Sequence, residues 1–184
     1  MADIQKEIAE LIEYKKHYEN DNIFYKETIK NKLIDNSKII YSLNNKELDP
    51  DCPADYVGEN ILPFYLISDV QGKAKNFICF ETSFVEVPRH NQVMKLGQVI
   101  FYILCDNKEI FDKNTGIARH DLLAALIIDE FNWTNMFGTQ IHLISDKPAA
   151  VDMNYAGRTL VFEQTTPNYI IKDRKVINKE KGKK

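Results

Sequence analysis

Along the first 44 residues the apolar positions recur at helical spacing. Ile4, Ile8, Leu11 and Ile12 share one face behind Asp3 as a helix-capping residue, which predicts a first amphipathic helix. A second helix is expected from Asp21 or Asn22. Its apolar side uses Phe24, Ile29, Leu33 and Ile40, Leu43 closes the stripe, and Asn44-Asn45 ends the helix. Residues 45–60 then lose all periodicity. Pro50, Pro53, Gly58 and several Asp and Asn residues make them a linker loop.

The period changes after residue 60. Residues 61–68 (ILPFYLIS) predict a short strand, and residues 77–87, rich in aromatic and β-branched side chains, a longer one. Pro88 to Asn91 make a turn, and residues 93–105 return as a second long strand, so the two form a long hairpin. The unbroken apolar run at 99–105 points to burial on both faces. Asn114, Thr115 and Gly116 are expected to open a helix over about 117–132. Its middle, LLAALII, is apolar all round and should be buried on more than one side. A strand at 139–146, a loop at 148–154 and a strand at 158–164 complete the pattern.

The expected fold class is α+β: an antiparallel or mixed β-sheet with a long hairpin, packed on a buried central helix, plus N-terminal helices. Its expected divisions are a helical segment at 1–44, the linker at 45–60, a core domain at 61–169 and a basic tail at 170–184.

Length and charge sharpen this picture. A chain of 184 residues can bury a proper core. The net charge is −3, but residues 170–184 hold seven Lys or Arg against Asp173 and Glu180, a net +5, which leaves −8 for the rest. Bulk charge therefore argues against nucleic-acid binding by the body, while the tail (Lys172, Arg174, Lys175, Lys179, Lys181) is the candidate for contact with DNA or a partner. The longest apolar runs, 99–105 and 122–128, are seven residues each, and a membrane span needs about 20. Three cysteines without a CxxC pair suit free thiols in a reducing compartment. An aqueous, cytoplasmic site of synthesis is expected, with no membrane partner.

The search for chemistry excludes more than it finds. The seven glycines form no phosphate-cradling turn, and the Cys and His residues are scattered without metal-ligand spacing. The stretch from Asp112 to Gly116 places its glycine one position too early for a calcium loop and puts Leu123 where a bidentate Glu belongs. Arg119-His120-Asp121 is the one suggestive cluster. His beside Asp suits a general base, but neighbours on a helix point in different directions and no nucleophile accompanies them. The expectation is no enzyme, no cofactor and no metal. Arg119, His120, Asp121 and Arg158 are instead candidate inter-subunit or partner contacts, joined by Arg89 and His90 at the hairpin tip.

Residues 76–168 resemble the tail-terminator (tail-completion) proteins of tailed bacteriophages. The matching features are the strands NFICFETSFVEV and VMKLGQVIFYILC, the helix TGIARHDLLAALIIDEFN led by Arg119, and DMNYAGRTLVFEQTTPN, where a Tyr-x-Gly-Arg turn feeds the final strand. The helical front and the Lys-rich tail depart from that family, so a neck or connector position is equally compatible. The resemblance implies a virion protein, assembled in the host cytoplasm, that closes into a cyclic homo-oligomer, a hexamer or dodecamer. It would touch neighbouring portal, neck or tail-tube proteins and let DNA pass, with transient contact in the lumen. The alternative function is a cytoplasmic protein-binding module of a bacterium or mobile element.

Overall fold

The computed structural model describes residues 2–17, 21–65, 76–86, 93–150 and 154–167. Among them the chain forms helices α1 (Ala2–His17), α2 (Asp21–Asp35), α3 (Ser37–Leu43) and α4 (Arg119–Phe131). Its strands are β1 (Ile61–Leu62), β2 (Phe77–Glu86), β3 (Met94–Asp106), β4 (His142–Ala150) and β5 (Tyr155–Pro167). The strands make one sheet in the order β1-β2-β3-β5-β4. β1 runs parallel to β2 and every other pair is antiparallel, so the sheet is mixed and the fold is α+β, as the hydrophobic pattern implies. No helix among the described residues is long and apolar enough to cross a membrane.

Several boundaries differ from the sequence reading: α1 already includes Asp3, expected as its cap, and β4 and β5 run on to Ala150 and Pro167. The single helix expected from residue 21 to Leu43 is two helices, because Asn36 leaves helical geometry (φ −92°, ψ 97°). Its side-chain oxygen accepts from the amides of Lys38 and Ile39 at 3.1 and 3.3 Å, so it starts α3 as it ends α2. Phe24 is exposed and Tyr25 takes its place in the core. Of the strand expected at 61–68, Ile61 and Leu62 form a strand, Pro63 to Tyr65 do not, and 66–68 lie outside the described residues. The Asn114–Gly116 stretch belongs to a separate turn, and α4 begins at Arg119. Pro148 lies inside β4 and does not open a loop. An edge strand tolerates it, since the missing N–H can face solvent without breaking the ladder.

The core lies between the helices and one face of the sheet. Tyr25, Ile29 and Leu33 on α2, Ile39, Ile40 and Leu43 on α3, and Leu123, Ala124, Ile127 and Phe131 on α4 pack in one cluster with Ile78, Phe80, Val99, Phe101, Ile103, Leu160 and Phe162. Spacings of three and four residues put each helical set on one side. Phe101 is central, with ring centroids 5.0 Å from Phe131 and 5.7 Å from Phe162. A smaller cluster of Leu62, Phe77, Cys79 and Leu104 lies on the opposite face. The run 99–105 is therefore buried from both sides, except that Ile100 and Tyr102 are half-buried.

The loop between α3 and the sheet is tied down by asparagines. Asn76 donates to the Leu43 carbonyl at 2.9 Å, Asn60 to the Asn76 carbonyl at 2.7 Å, and Asn45 to Asn60 at 2.6 Å. Tyr56, in a 3-10 turn over Pro53–Tyr56, enters the main core.

Gly157 on β5 pairs with Leu104 of β3. A Cβ there would lie 2.1 Å from the Ile103 carbonyl oxygen, a backbone atom that can move only with the strand. Gly157→Ala is expected to cost about 2–3 kcal/mol in denaturant unfolding. Gly97→Ala, whose nearest neighbour would be a flexible Gln164 carbon at 3.7 Å, should stay within about 1 kcal/mol of the parent.

Candidate assembly surface

The end of the molecule where α4 begins is organised by a buried guanidinium. Arg119 donates from Nη1 to the Ser42 carbonyl at 2.7 Å and from Nε to the Glu109 carbonyl at 3.2 Å, and its Nη2 lies 3.5 Å from Asp112 Oδ1. Its own amide donates to the Ile110 carbonyl at 2.6 Å. Arg119 thus joins the end of α3, the approach to α4 and the Asp112 turn. Expected as an outward contact, it is buried in the single chain and bonds within it.

Asp112 Oδ2 accepts from the Thr115 hydroxyl at 2.8 Å and from the Thr115 amide at 2.9 Å, and Gly116 closes the turn at φ +71°. These Thr115 bonds, above all the hydroxyl's, hold the Asp112 carboxyl below the ordinary aspartate value of 3.8, with Arg119 adding its positive charge. A depressed folded value means that the stabilisation is complete above the unfolded value and declines as pH falls below it. Acid unfolding followed by circular dichroism should therefore be less steep below pH 3.8 in Asp112→Asn than in the parent.

Three of the other candidates meet. Asp121 Oδ1, in the first turn of α4, accepts from Arg158 Nη1 at 2.6 Å. Arg158, on β5, also reaches Asp146 Oδ1 on β4 at 2.8 Å. The Asp146 bond raises the Arg158 value further and Asp121 adds to it, so the guanidinium is held firmly charged. His120 Nε2 lies 3.5 Å from Asp121 Oδ1, and His120 Nδ1 is buried without a hydrogen-bond partner among the described residues. The alternation along β5 places Arg158 on the helix-covered face, and the first turn of α4 lies above it. The sequence-adjacent Asp121 and the distant Asp146 therefore share one cation. The net joins helix to sheet at a half-exposed rim and leaves charge available at the surface.

Of the remaining candidates, Arg89, His90, Lys172, Arg174, Lys175, Lys179 and Lys181 lie outside the described residues. Among the described residues no group of three or more His, Cys, Asp or Glu is gathered as for a metal ion. Cys79 and Cys105 are buried, and burial pushes the Cys105 thiol up to about 12, which makes it a poor nucleophile. Cys52 is exposed.

Sequence reading missed the exposed apolar side chains. Trp133 follows α4 with φ +61°, an uncommon conformation for so large a residue, and is 62% exposed. Its ring stacks on His142 at 5.6 Å between centroids. Nearby on the edge strand β4, a register shift between Leu143 and Ser145 leaves Ile144 exposed. The cue for Trp133 was its place just past the helix end, where the chain must turn sharply. Lys95 was missed too. It is buried on β3 with its Nζ 4.3 Å above the centre of the Phe84 ring, and burial lowers its ammonium value.

No curated protein matches the chain. A family model described as YomW matches residues 5–164, from within α1 into β5. YomW is a name of the type carried by Bacillus phage SPBc2 proteins, consistent with a phage-derived protein. The match spans most of the sequence, and the chain therefore belongs to the YomW family, a phage-associated one.

Proposed function

We propose that this protein is a structural component of a phage virion that forms a ring at the neck or the top of the tail, joining portal or tail components around a passage for DNA. The observation that carries the reading is the pairing of a packed α+β body with separate exposed apolar surfaces. They are the stripe of α1, the surface of Tyr41, Phe111 and Ile117, and the Trp133 and Ile144 side of β4. A cyclic oligomer needs two different patches on each copy, because its contacts run head to tail. An exposed Trp is also characteristic of an interface centre. Membership of a phage-associated family supports the setting.

The outer edge of β4 argues against joining by sheet extension. Lys147, Pro148 and the bulge at Ile144 all lie on it, and each discourages a further strand. Copies would meet through side chains. Native mass spectrometry of the purified protein, together with protein analysis of purified virions, tests the proposal. A closed oligomer and presence in virions are expected. A chain that stays monomeric and is absent from virions would falsify it.

A further inference from the structure

We infer that α1 of one copy docks on the Asp112 turn of the next copy, apolar stripe to apolar turn, with acidic residues of the helix against lysines around the turn. The inference rests on the self-assembly reading above and names its contact.

α1 has 16 residues and presents Ile4, Ile8, Leu11 and Ile12, each between 44% and 67% exposed. At 3.6 residues per turn the four fall within an arc of about 100°. A helix of this length with its apolar face in water is marginal on its own, so a cover for the stripe is what would hold it folded. Glu7 and Glu10 lie together on one flank of that stripe, both exposed.

The same chain carries a complementary surface. Tyr41, Phe111 and Ile117 are exposed around the turn that Asp112 and Thr115 close. The turn is rigid: Phe111 bridges Ala118, Asn114 donates to the Tyr41 hydroxyl, and Arg119 anchors it from beneath. Lys38, one helical turn before Tyr41, and Lys108 and Lys113, either side of Phe111, are all exposed. Apolar meets apolar and carboxylate meets ammonium, the arrangement that selects one partner and orients it. Both surfaces stand open in the single chain, so it does not satisfy them itself. A contact between two different patches repeats from copy to copy and suits ring closure.

The test uses the full chain with Cys52→Ser, which removes the exposed thiol, and adds Ile8→Cys with Phe111→Cys. Mild oxidation should give a ladder of covalent multimers on a non-reducing gel. In solution, Leu11→Glu should weaken association by about tenfold or more. Lys38→Glu with Lys113→Glu should weaken it as well, and adding Glu7→Lys with Glu10→Lys should restore part of the loss. Disulfide confined to single chains, dimers from Ile8→Cys alone, or oligomers unchanged by Leu11→Glu would each overturn the docking and leave the ring standing. A chain that is monomeric and forms no interchain disulfide overturns the docking too. The ring reading is then decided separately, by whether virions contain the protein.

Discussion

Leu123→Asp should abolish the cooperative fold or lower the unfolding free energy by about 4–5 kcal/mol, a large share of the roughly 10 kcal/mol typical of a single domain. Leu123 has no exposure, and it faces the sheet from the middle of α4 with Ala124, Ile127 and Phe131. The substitution removes the apolar contacts, for which Leu→Ala alone costs about 2–5 kcal/mol in buried sites. It also places a carboxyl where no donor waits, so the group must stay protonated or draw in water. Ala125→Asp, on the exposed side of the same helix, changes helix propensity by a similar small amount and should cost less than about 1 kcal/mol. Urea unfolding of the two variants separates burial from helix propensity. Equal midpoints would mean that α4 does not present Leu123 to the core.

Arg119→Ala is expected to cost roughly 3–4 kcal/mol, mainly by stranding the Ser42 and Glu109 carbonyls and removing the buried stem that packs between them. Arg119→Lys keeps a charge but cannot serve two carbonyls and a carboxylate in one plane, so it should recover only part of the loss. Arg158→Ala provides the contrast. Arg158 is half-exposed, its partners Asp121 and Asp146 remain hydrated when it is gone, and the expected cost is about 1 kcal/mol. The ordering should be the same by thermal and by urea unfolding. If Arg158→Ala proved the more damaging, the stabilising node would be the rim and not the buried clamp.

The elements that the sequence made legible are those with long, unmixed periodicity. β2 and β3 declare themselves through aromatic and β-branched residues, and α4 through an apolar run of helix-favouring Leu and Ala behind a turn signal. What stayed hidden depends on single side chains that act across the fold. Asn36 breaks a continuous helical pattern because its amide also reaches Glu130 on α4 at 3.0 Å, a contact no local window contains. Pro148 suggested a loop because its tolerance depends on whether its strand lies at an edge, and strand order is set by distant pairing. Among the site residues, adjacency singled out Arg119, His120 and Asp121. Only the fold assigns the first to the interior and joins the third to Arg158 and Asp146. Trp133 and Ile144 carried no motif at all, since exposure is a property of the folded surface.

The strand order has a consequence for biosynthesis. β5 follows every other described element along the chain, yet it lies inside the sheet, hydrogen-bonded to β3 on one side and β4 on the other. A nascent polypeptide halted before residue 155 would hold β3 and β4 with open ladders and a gap between them, a sticky intermediate that invites aggregation. The native sheet can therefore close only after β5 has been made, so the last strand of the chain decides when the whole fold becomes protected from aggregation.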